Sequence, residues 1–273
     1  MVTTVDAFRS DFDADSEFNS MSPFRADILW RDAAGNNVLW LMNNDTPSTV
    51  ATLPFVAPDW HVKAAANFEP VGISSDILWQ NDNGALALWR MNGTTVLNIH
   101  ALPNPGPTWH VVGDNDFNDD TGGDIFFQND NGSLAMWTGI SAATGTVAAM
   151  LAGTQNPGPT WHVVGTGDTN FDASAGVLWQ NDNGGLALWE DPTFGAGTFT
   201  FNTVAALPTV DPSWHVKGMA DLDTTSGPKS CSRTTTEWWG SGRWAVQPAQ
   251  HSPPRSSSTS IPAPPGTSSA CAT

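Results

Sequence analysis

Ahead of the segment "DIFF" the chain reads "DNDFNDDTGGD". Its oxygen-bearing side chains are regularly placed, with Asp116, Asn118 and Asp120 at alternate positions of a turn and Asp124 four residues further on. Hard oxygen donors closed by a final carboxylate suit calcium, whereas zinc prefers nitrogen and sulfur. Gly122 and Gly123 would ease the tight loop that such a shell needs. A solvated acidic turn capped by its own side chains would use the same residues.

The other chemistry-bearing residues recur. His61, His110, His162 and His215 each follow a Trp, in "PDWHVK", "PTWHVVG" twice and "PSWHVKG". Catalysis needs a histidine once, at one asymmetric site, so a histidine in every repeat is expected to pack or to hydrogen-bond. Trp79, Trp89, Trp109, Trp137, Trp161, Trp179, Trp189 and Trp214 are read in the same way, as core between repeats rather than as stacking platforms for sugars. No nucleophile motif, phosphate-binding glycine loop or clustered histidine ligand set is present, which makes an enzyme the weakest class.

These residues are positioned by a repeat. "DILWRDAAGNNVLWLMN" from Asp27, "DILWQNDNGALALWRMN" from Asp76, "DIFFQNDNGSLAMWTGI" from Asp124 and "GVLWQNDNGGLALWEDP" from Gly176 are in register. The Trp of the Trp-His blocks are 49, 52 and 53 residues apart. A period near 50 fits a four-stranded propeller blade, and no helical apolar stripe appears. "ILWQ" and "ALALW" read as strands, "WHVV" as another, and the variable "TTVLNIHAL" as the fourth. "QNDNG" reads as a hairpin turn whose Asn-Gly pair takes positive backbone angles. In "ALALWRM", Leu86, Leu88 and Arg90 share one face, and Ala85, Ala87, Trp89 and Met91 the other.

The acidic loop followed by "DI(L/F)(W/F)" resembles the FG-GAP repeats of integrin alpha chains and the related bacterial VCBS-type repeats, over residues 11–223. The resemblance implies a β-propeller, with calcium loops of the pattern Asp-x-Asp/Asn-x-Asp-Gly-x-x-Asp. Asp116, Asn118, Asp120 and Asp124 fill that pattern; Asp168, Asn170 and Asp172 fill its first three positions, with Gly176 in place of the closing acid. The earlier loops, before Asp27 and Asp76, are degenerate. It further implies a secreted or cell-surface domain that binds or adheres to carbohydrate or protein. A purely structural repeat segment or a non-functional fragment of a larger surface protein is the alternative, and a hydrolase the least favoured.

Length and a hydrophobic content of 40% allow one sizeable domain with its own core or a row of repeated units. The chain has 273 residues, 27 Asp and Glu against 10 Lys and Arg, and a net charge of -17. Such a balance disfavours nucleic acid as a partner. No apolar run approaches the roughly 18–20 residues of a membrane span, and the first residues do not read as a signal peptide.

The fourth QNDNG does not arrive where the period requires it; the chain reads "SRTTTEWWG" instead. The third base of each codon joined to the first two of the next, from Lys229, permits Ile-Leu-Phe-Gln-Asn-Asp-Asn-Gly-Val-Val-Gly-Leu-Trp. From Ser260 the same shift permits Asn-Pro-Gly-Pro-Thr-Trp-His-Val-Val-Gly. A single-base deletion near codons 223–225 accounts for both. The expected organisation is therefore repeat units near 11–59, 60–108, 109–160 and 161–213, the start of a fifth at 214, and an out-of-frame tail at 224–273 without stable structure. No disulfide is inferred between Cys231 and Cys271. The units are expected to form either a four-bladed ring, closed by Trp214–Val216 on the strand at Ile28, or an open arc.

Overall fold

The computed structural model describes residues 27–43, 46–69, 75–170, 174–217 and 246–248. Every regular element among them is a β-strand. The first sheet has three strands: β1 (Ile28–Arg31), β2 (Asn37–Asn43) and β3 (Thr46–Leu53). Three units of four antiparallel strands follow in simple chain order. They are β4 (Trp60–Ala66), β5 (Asp76–Asn81), β6 (Leu86–Asn92) and β7 (Thr95–Leu102); then β8 (Trp109–Asn115), β9 (Asp124–Asn129), β10 (Leu134–Ser141) and β11 (Thr146–Gly153); then β12 (Trp161–Gly167), β13 (Gly176–Asn181), β14 (Leu186–Gly195) and β15 (Thr198–Leu207). Each first strand carries a β-bulge at the same place, between Val62 and Ala64 and, in the later units, Val111/Gly113 and Val163/Gly165.

The third and fourth units join into one eight-stranded sheet through a short parallel pairing of β11 with β15. Its far ends, β8 and β12, approach one another, and the Thr166 hydroxyl donates to Asp114 O at 2.8 Å. The joined sheet is thus nearly closed around the core between the two units.

The strand period of two gives each sheet two apolar faces, and both are used. Leu29, Leu39, Leu41 and Leu53 of the first unit pack on Ile77, Trp79, Trp89 and Met91 of the second. Leu78, Leu86, Leu88 and Leu102 meet Ile125, Phe127 and Trp137 of the third. Phe126, Leu134 and Met136 meet Val177, Trp179 and Trp189 of the fourth. Each unit therefore presents a Trp-bearing face backward and a Leu-rich face forward, as the alternation in "ALALWRM" requires. Trp79 and Trp179 are fully buried, and paired rings lie about 5 Å apart at Trp79–Trp89 and Trp179–Trp189.

The QNDNG turn departs from expectation in one respect. Gly84 has φ +87, but Asn83 does not share a positive angle. The connection is an ordinary turn, with Gly84 N–H donating to Asn81 O at 2.8 Å, followed by a left-handed glycine, rather than a two-residue turn with both angles positive.

After β15 comes β16 (Trp214–Val216), and it pairs with β17 (Val246–Pro248) instead of with β1. Among the described residues no strand pairs with the outer edge of β1, so the pairing that would close a four-unit ring is not formed. β17 falls within the expected out-of-frame tail, most of which lies outside the described residues.

Candidate functional site

The acidic loop at 116–124 is held as a hub between neighbouring units. Gly123 N–H donates to Asn67 O at 2.7 Å in the preceding unit, and Ala175 N–H of the following one donates to Asp116 O at 2.9 Å. Asn67 and Asp116 each stand seven residues after the Trp of their block, so one contact is repeated from unit to unit. Positive angles fall on Asp119 (φ 59) and Thr121 (φ 71) rather than on the two glycines. Gly123 serves close approach instead: a Cβ there would lie 3.1 Å from Asn67 O.

Within the loop most oxygens are engaged by the loop's own donors. Asp116 accepts from Asp120 N–H and Thr121 N–H at 3.2 and 2.8 Å, Asn118 Oδ1 accepts from Asp120 N–H at 3.1 Å, and Asp120 Oδ1 accepts from Gly122 N–H at 2.9 Å. Among the described residues no group of three or more His, Cys, Asp or Glu converges closely enough to hold a metal ion. Asp124 is the exception to this self-satisfaction. It is fully buried; Oδ2 accepts from Phe117 N–H at 3.0 Å, while Oδ1 is buried with no hydrogen-bond partner. Burial first, and then the charges of Asp120 and Asp116, push its carboxyl up to about 8, against the lowering effect of the Phe117 and Gly139 amides. A buried carboxylate oxygen without a partner, with two further carboxylates in the same loop, is the kind of donor that a cation would satisfy.

The aspartate that opens the second strand also has a purely structural task. Asp27 Oδ1 accepts from Met42 N–H at 2.7 Å, and Asp76 Oδ1 accepts from Met91 N–H at 2.9 Å, across the hairpin in both units. In the fourth unit Gly176 holds this position. There Asp168 Oδ1 accepts from Asn170 N–H at 3.2 Å, and Asp172 lies outside the described residues. Two acids that the motif did not include reach this loop from β14: Asn170 Nδ2 donates to Asp191 at 3.3 Å, and the Thr169 hydroxyl donates to Glu190. Their position in place of "RM" in "ALALWRM" was the available signal.

The repeated histidines do not gather. His61, His110 and His162 each pair with the aspartate of their own QNDNG turn, Asp82, Asp130 and Asp182, at 2.7–2.8 Å on the exposed surface. The pairs tie a first strand to its hairpin.

One repeated surface feature lies in the strand that looked variable. Val50, Ile99, Met150 and Val204 are the direct cross-strand partners of Trp40, Trp89, Trp137 and Trp189, yet they are 49–58% exposed. Each sits three residues before the end of its outer strand, which puts one exposed apolar side chain at the same rim position of every unit. The fixed offset is visible in the sequence, but only once strand ends are known.

No protein-family model and no curated protein matches the chain. No helix of the described residues is long and apolar enough to cross a membrane.

Proposed function

We propose that the chain is a non-enzymatic binding or adhesion domain, a propeller-type array of FG-GAP or VCBS-like units acting at the cell surface or outside the cell. The observation that carries this reading is the rim row of Val50, Ile99, Met150 and Val204. Each of these residues pairs across the strand with a Trp and still leaves about half of its surface exposed at one fixed position per unit, and a repeated partner surface would use such a row. A protein surface suits that row better than carbohydrate: of the tryptophans expected in the core, Trp79, Trp89, Trp137, Trp179 and Trp189 are buried and Trp109 and Trp161 half-buried, whereas Trp214, against that expectation, is exposed and alone offers an open ring for sugar stacking. Calcium belongs to the same reading: Asp116, Asn118, Asp120 and Asp124 would hold it, with Asp168, Asn170 and Asp172 a weaker second set, and its charge would offset the buried Asp124 carboxylate.

The buried tryptophans favour a second reading, a structural segment without a ligand of its own. Binding of the full chain to a panel of secreted proteins and to a glycan array separates the two. The expected result is protein binding that is lost in the Ile99→Ser/Met150→Ser variant, which keeps the wild-type near-ultraviolet Trp spectrum while its melting temperature falls only slightly. Glycan binding indifferent to that variant would move the partner to carbohydrate, and no binding in either format would favour the structural segment.

A further inference from the structure

The two ends of the array carry opposite halves of the interface that joins its units. The backward face of the first unit bears Ile28, Trp30, Val38, Trp40 and Met42, all half-buried, whereas the equivalent Ile77, Trp79, Trp89 and Met91 of the second unit are buried. At the other end Leu186, Leu188 and Leu207 of the forward face are half-buried, whereas the equivalent Leu86, Leu88 and Leu102 are buried. Every internal junction places a face of the first kind on a face of the second kind.

The ends also match in strand number. Among the described residues the first unit has three strands, without the Trp-His strand that opens each later unit. The element that follows the fourth unit, β16, is such a strand, "WHV". Gln180 Nε2 donates to Trp214 O at 2.6 Å and its Oε1 accepts from Val216 N–H at 3.1 Å. Gln80 grips β8 in the same way, through Trp109 O and Val111 N–H. β16 thus stands where the first strand of a next unit stands, and the partner it has, β17, is three residues long and ends in a proline.

We propose that the chain associates head to tail, with the β1–β3 sheet of a second copy docking on the Leu186–Leu188 face and taking β16 as its missing first strand in place of β17. The occupant is a second copy because the docking face is the one that the chain already uses three times internally. The contact is heterologous, so it leaves one fresh face at each end and extends beyond a dimer.

Sedimentation of the full chain tests this, with Val38→Glu blocking the backward face and Leu188→Glu the forward one. The wild-type chain is expected to show a concentration-dependent series of species below about 1 mM. Each variant alone is expected to be monomeric, and an equimolar mixture to form a 1:1 dimer that grows no further, since each copy retains the half that the other has lost. That dimer also shows that both variants are folded. A wild-type chain that remains monomeric overturns the proposal, including the case in which residues 1–26 or 218–245 cover the two faces. Dimers of either variant by itself would make the contact isologous and overturn it equally, and so would a mixture that stays monomeric while both variants keep the wild-type near-ultraviolet Trp spectrum.

Discussion

The side-chain amide of Gln80 bridges to Trp109 of the next unit as a backbone peptide would, donating from Nε2 to Trp109 O at 2.7 Å while Oε1 accepts the Val111 N–H at 3.0 Å. Gln128 and Gln180 donate likewise to Trp161 O and Trp214 O. In the first unit, where the pentapeptide is absent, Arg31 donates to Trp60 O at 3.0 Å and lies over the Trp79 ring. The first residue of QNDNG is therefore an inter-unit clasp, and only the remainder is a turn.

Gln80→Ala should accordingly destabilise the array by about 1–3 kcal/mol, because it leaves a buried amide and a carbonyl without partners. Gln80→Glu keeps the acceptor but sets a carboxylate against Trp109 O. It should be as harmful at neutral pH and milder in acid, where the protonated side chain can donate again. Urea unfolding at two pH values checks both, and a Glu variant without pH dependence relative to wild type would contradict the clasp.

Two glycines in the same unit should respond differently to alanine. Gly84 and Gly93 both have positive φ, so each substitution carries the backbone cost of about 1 kcal/mol. A Cβ on Gly84 would also lie 2.3 Å from the Gly106 carbonyl group, backbone that cannot swing aside, whereas nothing lies within 4 Å of one on Gly93. Gly84→Ala should cost about 1–3 kcal/mol more than Gly93→Ala. Equal melting temperatures for the two variants would show that the packing of the turn on the Pro-Gly connection contributes nothing.

The repeat period, the four strands per unit and the two apolar faces were legible in the sequence because each follows from local pattern: alternation, turn residues and a fixed spacing. What was illegible required knowing which strand lies beside which. The Gln80 clasp joins residues 29 positions apart, and the approach of Glu190 and Asp191 to the loop at 168–176 crosses the hairpin. The rim residues Val50 and Ile99 alternate like core residues; only the position of β3 and β7 at sheet edges leaves them exposed. The acidic loop was found by residue type, but its dependence on Asn67 and Ala175 of adjacent units was not.

Burial of Asp124 gives stability a pH dependence with a definite sign. Its carboxyl stands at about 8 in the folded chain, above the ordinary 3.8, so between those values the folded state keeps a proton that the unfolded state has lost. Stability without a bound cation should then be greatest at the acid end of that window and fall as pH rises toward 8. Asp76 and Asp114, each raised to about 6 by burial, add to the fall only in its lower part. Between pH 6 and 8 Asp124 is the largest contributor of the three, and comparison with a variant separates it from the other groups that titrate there. Asp124→Asn retains an acceptor for Phe117 N–H without the charge, and in chelator it should flatten that interval. An unchanged slope in the variant would assign the effect elsewhere.

Calcium should reverse the same dependence, because it favours the ionised form of the carboxylate whose burial otherwise favours the proton. A ligand that binds only the folded state adds about 2.7 kcal/mol at a hundredfold excess over Kd, enough to raise the melting temperature by several degrees. The gain should be largest near pH 8, where the unpaired Oδ1 of Asp124 is most costly in chelator, and small near pH 5, where a proton competes for it. Asp120→Ala should remove most of the gain, since it deletes a carboxylate from the loop without touching the buried one. Asp172→Ala should remove less, because its loop has Gly176 where the closing acid would stand. Magnesium at the same concentration should have a smaller effect, as its near-ideal octahedron is harder to form from an irregular loop. Melting curves that coincide in calcium and in chelator across this pH range would reject calcium at both loops. A calcium gain that survives Asp120→Ala would move the ion away from the loop at 116–124.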